Sequence, residues 1–334
     1  MPSRVCCDGP VRGHLGLLHP AVRRRPHWRT HAARVLCVLA PALAATAAMT
    51  VPLRFDGGRA YEDIRQLVAI GPRAAGSPGI EQARKYLTQQ LSAIGVKVVE
   101  QPFDADTPLG RVHMVNVVAT LPGDRAERIA FAGHYDTKLF RGFRFVGAND
   151  GGSSAAFLLE LARALRHRHN PFSIDLLFFD GEEAVVEWSG TDHTYGSRHY
   201  VEQAKQAGTL NRLKALVLVD MIGDRDLRIR REQSSTRWLT DLIWTSAQRL
   251  NLDRYFVPDA TPIEDDHRPF LDAGVAAVDV IDLEYPPWHT ADDTLDHVSA
   301  RSLEVIGEVL LSALPEIEKH LQTVPQRSSA RDLR

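Results

Sequence analysis

The chain has 334 residues, with a hydrophobic content of 44% and a charged content of 25%, which is ordinary for a soluble globular protein of one large domain or two smaller ones. Its formal net charge of -2 provides no basic footprint, so we expect no nucleic-acid partner. The three cysteines stand at positions 6, 7 and 37, which leaves the rest of the chain without a disulfide or a thiolate metal site.

The first segment along the chain resembles a secretory leader. Residues 1–34 are rich in Arg and His, and residues 35–43 form a short apolar run followed by small-residue cleavage sites. This pattern predicts export to the periplasm or out of the cell. The stretch to Leu53 could instead act as a weak membrane anchor, although Pro41 and many alanines make it a poor span.

The remaining chain alternates between helical and strand-like patterns. Helices are expected over residues 61–69, 80–94, 153–165, 196–206, 236–250 and 299–321, with a short helix ending near residue 273. Strands are expected over residues 96–103, 113–121, 128–133, 173–179, 213–220, 227–230 and 275–281. Ser77 is placed to cap the second helix, and Pro78 suits its first turn.

This alternation predicts one α/β domain with a mostly parallel, mixed central sheet flanked by helices. We expect the catalytic domain to span residues 56–322, after a leader of residues 1–55 and before a polar tail, residues 323–334, which we expect to be disordered. The nearly all-apolar run 128–133 suits the centre of the sheet.

The most informative stretch is residues 178–184, Phe-Phe-Asp-Gly-Glu-Glu-Ala. It is an apolar strand that runs out into a loop with two adjacent carboxylates, Glu182 and Glu183. Neighbouring side chains on an extended chain face opposite sides, so one carboxylate could hold a metal while the other serves as acid or base. Ligands bind at the carboxyl ends of strands in open parallel sheets.

The candidate metal ligands follow several of the strands or lie in loops. They are His134, Asp150, Glu183, Asp220 and His289. A catalytic zinc site takes three His or carboxylate ligands and keeps one position open. The chain lacks the H-E-x-x-H helix of common zinc proteases.

Six segments occur in a familiar order: GHYDTK (133–138), FVGANDGG (145–152), FFDGEEA (178–184), LVDMIG (218–223), EDDHRPFL (264–271) and WHTADD (288–293). Together with GPRAAGSPG (71–79), they make the chain similar to the family that unites zinc aminopeptidases with animal-type glutaminyl cyclases. The resemblance covers roughly residues 60–322 and favours the cyclase branch.

The resemblance implies one zinc ion per chain, held by Asp150, Glu183 and His289. Glu182 would be the proton shuttle, and Asp220 and Asp265 the buried acids of its hydrogen-bond network. The implied substrate is a peptide or protein with an N-terminal Gln, which is closed to pyroglutamate with release of ammonia. Residues implied to line the substrate pocket are Trp288, Trp188, Tyr285, Glu264 and Lys138. We expect the protein to be a monomer.

The rival interpretation is a two-zinc aminopeptidase, in which His134 and Asp220 would hold a second metal, Asp150 would bridge, and Glu182 would activate water. Trp288 and the acidic 264–267 loop favour the cyclase. A third interpretation is a non-catalytic binding module on the same fold.

The chain departs from the cyclase pattern at Asp279, where a His is common, and at Glu264, where a Gln is common.

Overall fold

The computed structural model describes residues 53–323. Most of the predicted leader and nearly all of the predicted polar tail lie outside this range, so the domain boundaries stay predictions. Within the range, no helix is both long enough and apolar enough to cross a membrane.

Seven α-helices and eight strands make up the described part of the chain. The helices are α1 (Gly57–Ile70), α2 (Pro78–Ala93), α3 (Gly152–Leu165), α4 (Tyr195–Gln206), α5 (Arg237–Arg249), α6 (Arg268–Asp272) and α7 (Ala300–Thr323). The strands are β1 (Lys97–Thr107), β2 (Gly110–Leu121), β3 (Arg125–His134), β4 (Phe172–Phe179), β5 (Leu213–Asp220), β6 (Ile229–Glu232), β7 (Phe256–Thr261) and β8 (Ala276–Ile281).

The first two helices begin at side-chain caps. Ser77 caps α2 by accepting a hydrogen bond from the backbone N–H of Ile80, with Pro78 in the first turn, as predicted. Helix α1 begins at Gly57 rather than at residue 61, because the Asp56 side chain accepts from Arg59 N at 3.0 Å and so caps an earlier turn.

Six strands form the main sheet in the order β1-β2-β4-β3-β5-β8. Strands β4, β3, β5 and β8 run parallel, while β2 is antiparallel to β4 and to β1. The predicted α/β domain with a mostly parallel, mixed sheet is confirmed, with the apolar strand β3 between β4 and β5 and the β1–β2 hairpin at one edge. The parallel strands therefore bring their carboxyl ends to one edge of the sheet.

The two faces of the sheet build two separate cores. Along β5, Ala215, Val217 and Val219 belong to the large core against α1, α2, α3, α5 and α7, whereas Leu216 and Leu218 belong to the smaller core with α4 and α6. This alternation follows from the period of two in an extended chain. Burial on both faces explains why the strand is apolar from Ala215 to Val219.

Strand β7 was not predicted from the sequence. It carries Pro258 and the exposed Asp259, which argue against a strand, yet it pairs in parallel with β6 in a separate two-stranded sheet. That pairing is a tertiary contact between distant segments, so the local pattern could not reveal it. Strand β6 likewise ends at Glu232 rather than at residue 230.

We predict that Gly307→Ala destabilises the fold by about 1–3 kcal/mol, because an added Cβ would lie 2.1 Å from the Phe55 ring in the large core. The control is Gly142→Ala, where a Cβ meets no atom of the described chain within 4 Å. Chemical denaturation of the two variants measures the difference. Equal midpoints would show that the Phe55 contact relaxes freely.

Candidate active site and metal centre

The structure brings the predicted metal ligands together. Asp150 precedes α3, Glu183 follows β4, and His289 lies in the loop after β8, and their ligand atoms all lie within 4.8 Å of one another. His289 Nε2 lies 3.2 Å from Glu183 Oε1 and 3.3 Å from Asp150 Oδ2. His289 adopts a positive φ of 56°, a backbone conformation that costs energy for a non-glycine residue and is often found at functional sites.

A second group of possible ligands shares Asp150. It consists of His134, Asp150 and Asp220, all buried. His134 Nε2 lies 3.1 Å from Asp220 Oδ1 and 3.3 Å from Asp150 Oδ1. Burial opposes protonation of His134, but the surrounding carboxylates, Asp220 first and Glu182 next, outweigh it and raise its pKa well above the usual value. The imidazole thus sits among carboxylates that stabilise positive charge.

Glu182 is buried beside the ligand cluster, with its Oε2 3.9 Å from His134 Nδ1. Burial raises the pKa of the Glu182 carboxyl well above its usual value, which His134 opposes and Asp265 reinforces. The two oxygens of Asp136 accept the backbone N–H groups of Glu182 and Glu183 at 3.1 and 3.3 Å. Asp136 therefore holds the loop that aims the two glutamates in different directions.

Arg73 stabilises the loops that carry the site, although the sequence did not predict it as a functional residue. Its fully buried guanidinium donates to the carbonyls of Tyr135 (3.1 Å), Val146 (2.6 Å) and Gly147 (2.9 Å). Burial lowers the pKa of Arg73 to about 10, against the opposing effect of nearby carboxylates. A buried cation bound to backbone carbonyls is stabilised here by the acidic site it underlies. In the sequence, the Gly-Pro-Arg segment at residues 71–73 is the only feature that singles out Arg73.

Asp293 holds the loop of Asp150 from the other side. Its Oδ1 accepts from Asn149 N at 2.8 Å and its Oδ2 from Asp150 N at 3.1 Å. The Tyr285 hydroxyl donates to Asp293 Oδ1 at 2.9 Å, and Tyr285 is buried rather than part of the cavity lining. Tyr285 therefore braces Asp293, since a buried Tyr hydroxyl usually takes a hydrogen-bond partner. Its implied contact with substrate stays a prediction.

Behind the site lies a group of buried acids. Asp279 is fully buried, and neither of its carboxylate oxygens makes a hydrogen bond with the described residues. His267 Nδ1 is 3.8 Å from Asp279 Oδ2, and His267 Nε2 is 3.2 Å from Glu232 Oε2. Burial raises the pKa of Asp279 well above its usual value, and the neighbouring carboxylate of Asp265 adds to it. Asp279 thus occupies this network and is not part of the cavity wall.

One cavity of about 580 Å³ opens onto the ligands, a size typical of a small-molecule or peptide-end pocket. Four of the five residues predicted to bind substrate line it: Lys138, Trp188, Glu264 and Trp288. Glu182, Asp220 and Asp265 also reach its wall. Lining residues that the sequence did not single out are Val186, Glu187, Met221, Pro262, Ile263, Ile281 and Leu283.

The wall combines charge with aromatic surface. Lys138 donates to the carbonyl of Ala184 at 3.0 Å and lies 3.7 Å from Glu183 Oε2, so its charge is already compensated. Trp288 is 42% exposed and stacks on His289, with ring centroids 4.4 Å apart. A large exposed indole at the mouth of a pocket offers a binding surface rather than core packing.

The donor set suits zinc. One imidazole and two carboxylates match the three-ligand catalytic zinc sites that leave one position open. Asp150 Oδ2 is buried and lacks a well-aligned hydrogen bond from the described residues, although it lies beside His289. A buried carboxylate oxygen without such a partner is costly unless a cation completes it. The residues present therefore fit a metal ion at this position.

We predict that Asp293→Asn lowers the affinity for Zn²⁺ by about 10–100-fold, the usual effect of removing a group that orients a ligand. The asparagine amide would face the backbone N–H groups that position Asp150. The control is Asp292→Asn, whose parent side chain is exposed. Competition with a chromogenic chelator measures both. Equal affinity in the two variants would contradict the bracing role of Asp293.

Comparison with known proteins places the chain in a family. The sequence profile described as "Peptidase family M28" matches residues 116–314. The chain is 36% identical over 283 residues to a "Glutaminyl-peptide cyclotransferase-like protein" of Mus musculus, covering 76% of this chain and 73% of the relative. It is 32% identical over 265 residues to the "Glutaminyl-peptide cyclotransferase" of Drosophila melanogaster, covering 70% and 75%.

A solved structure supports the same family assignment through the similarity of its fold. The crystal structure of Acidobacteriales bacterium glutaminyl cyclase superimposes with a TM-score of 0.78 at 40% sequence identity, covering 82% of this chain and 98% of that one. The resemblance inferred from the motifs is thereby confirmed. The chain belongs to peptidase family M28, in the branch of the glutaminyl-peptide cyclotransferases.

Proposed function

We propose that the protein is a zinc-dependent glutaminyl-peptide cyclotransferase, which closes the N-terminal Gln of a peptide or protein into pyroglutamate and releases ammonia. The observation that carries the proposal is the buried Glu182 beside the ligand group Asp150, Glu183 and His289, at the base of a cavity whose mouth carries Trp288. The relatives named for this activity support it.

Asp150, Glu183 and His289 would hold one zinc ion, which when bound supplies Lewis-acid polarisation of the substrate's side-chain carbonyl. The chain itself keeps the three ligands in place. Asp136 and Asp293 fix the backbone of the two carboxylate ligands through their N–H groups. Such prior positioning avoids reorganisation during the reaction.

Glu182 would move the proton. In the reaction the α-nitrogen of the substrate forms a bond to the side-chain carbonyl carbon, and the bond from that carbon to the amide nitrogen breaks. Glu182 accepts a proton from the attacking α-amine and delivers one to the departing nitrogen, which leaves as ammonia. Because the nucleophile belongs to the substrate, correct orientation in the cavity supplies much of the rate. Asp265 helps to raise the pKa of Glu182, and Asp220 lines the same cavity.

Binding of the glutaminyl end would use the cavity walls. Trp288 and Trp188 present partly exposed indoles at the mouth, 42% and 36% exposed. Lys138 stays bound to Glu183 and Ala184 and so orders the wall rather than offering a free charge. Glu264 also lines the cavity, in a different loop, directly before Asp265.

The second candidate function is a two-metal aminopeptidase. The intact group of His134, Asp150 and Asp220 favours it, because these residues could hold a second ion next to the first. Both candidates use the same buried glutamate, and the ligand residues for both are present, so the ligands alone cannot separate the two functions. Export, on the basis of the leader pattern, and a monomeric state complete the proposal.

The deciding experiment measures metal content and product on one purified sample. We expect one zinc per chain, release of ammonia from a Gln-headed peptide and an otherwise intact peptide backbone by mass spectrometry. Glu182→Gln should lower turnover by about 10²–10⁴-fold while zinc stays bound, because the change removes the proton carrier and leaves the ligands.

Two zinc ions and a free amino acid as product would move the protein to the aminopeptidase function. Full turnover by Glu182→Gln would remove Glu182 from the proton path. Zinc binding with neither product would reject both functions.

We predict that Trp288→Ala raises KM for Gln-headed peptides about ten-fold, because an exposed indole contributes contact area to substrate. Its free energy of unfolding should change by less than about 1 kcal/mol, since much of the side chain faces solvent. Trp238→Ala is the control: this indole stacks on His320, with ring centroids 4.1 Å apart, outside the cavity. Equal loss of stability and binding in Trp288→Ala would assign Trp288 to the core.

A further inference from the structure

Two carboxylates at the mouth of the cavity are not used by the proposed chemistry. Glu187 and Glu264 both line the cavity and are both exposed. Within the described part of the chain, neither forms an ion pair with any Lys, Arg or His, although Glu264 interacts electrostatically with the buried His193. Their charges therefore remain available to a ligand that enters or leaves through the mouth.

The loops that carry these carboxylates are well anchored. The side chain of Asp192 accepts the backbone N–H groups of Val185, Val186 and Glu187 at 3.0, 2.8 and 2.9 Å. The Tyr195 hydroxyl donates to the same carboxylate at 2.7 Å. Glu264 directly precedes Asp265, whose carbonyl accepts from Arg268 N at 2.9 Å. The backbone that carries the two carboxylates is thus anchored in two loops of the cavity wall, while both side chains stay exposed.

Cations near the mouth are already engaged. Arg228 and Arg230 border a neighbouring depression and both pair with Glu284. Arg198, on the far side of Glu264, donates to the carbonyls of Thr191 and His193. With Lys138 bound to Glu183, no cation that lines the described cavity offsets the two exposed carboxylates. The two carboxylates therefore add exposed negative charge to the mouth.

A buried carboxylate oxygen in the cavity also favours a ligand that donates hydrogen bonds, as a cationic side chain does. Asp265 is 3% exposed and lines the cavity, and its Oδ2 makes no hydrogen bond with the described residues. Such an orphaned acceptor calls for a donor from the ligand. The indoles of Trp188 and Trp288 add surface at the mouth against which an aliphatic stem can pack while its charged head stays in water.

We propose that Glu187 and Glu264 make the protein selective for peptides with a Lys or Arg within the first few residues after the N-terminal Gln. The inference rests on the proposed function, because it assumes that the glutaminyl end occupies the base of the cavity. The residues that follow must then leave through the mouth, between the two carboxylates. A cationic side chain there meets two unpaired charges and an aromatic surface, whereas an acidic one is repelled.

The test compares three peptides that differ at the second residue: Gln-Lys-Ala-amide, Gln-norleucine-Ala-amide and Gln-Glu-Ala-amide. Norleucine keeps most of the lysine stem but lacks the ammonium group. At low salt we expect kcat/KM to favour Lys over norleucine by about three- to ten-fold, with Glu below both. High salt should bring the ratio close to one, because exposed charges are screened.

The variant that decides the matter is the double substitution Glu187→Gln and Glu264→Gln. Its Lys-to-norleucine ratio should fall to about one, whatever the effect on either peptide alone, and each single variant should lie between. Asp106→Asn is the matched control: it removes one exposed charge from β1, outside the cavity lining, and should keep the wild-type ratio.

Two failures are distinguishable. Equal turnover of the three peptides by the wild type, or an unchanged ratio in the double variant, would overturn the selectivity while leaving cyclisation in place. Absence of ammonia from all three peptides would instead overturn the proposed function, and the selectivity with it.

Discussion

The accumulation of carboxylates at the carboxyl edge of the sheet is the constraint on which the rest of the structure depends. Buried charges are tolerated only when they are paired, hydrogen-bonded or neutralised. Here the acids that support the site are satisfied mostly by backbone N–H groups: Asp136 binds those of Glu182 and Glu183, and Asp293 those of Asn149 and Asp150. The one fully buried guanidinium in the described chain, that of Arg73, lies beneath the same loops.

This arrangement divides the acids by role. Asp136 and Asp293 fix backbone and do not reach the cavity, whereas Glu182 and Asp265 line it. Adjacent glutamates on one strand end can face different partners because the chain alternates direction. The ion-pair distances place Glu183 with His289 and Glu182 with His134. One strand end thus contributes both a ligand and a candidate proton carrier, and it holds the two close together.

Acidity also extends from the buried base of the cavity to its exposed mouth. At the base, a metal ion and His residues would compensate the carboxylates. At the mouth, neither Glu187 nor Glu264 forms an ion pair with a described residue, although Glu264 interacts electrostatically with His193. If the site cyclises N-terminal Gln, the reaction removes the positive charge of the peptide's α-amine. A negative mouth would then attract the substrate more strongly than the product, in addition to any preference for basic residues further along.

Much of this followed from sequence, because the signals were local. Apolar runs ending in His134, Glu183 and Asp220 predicted the strands, their parallel arrangement and the shared edge of the sheet, and the motif order identified the family. The sequence could not assign Tyr285 to Asp293, recognise Arg73 as the support of the Asp150 loop, or find β7 and the cavity residue Glu187. Each of these depends on contacts between segments far apart in the chain, such as Arg73 with Val146 or Tyr285 with Asp293. Local propensity and spacing determine which residues end a strand, but only tertiary packing decides which of the many buried acids face a ligand and which brace the backbone.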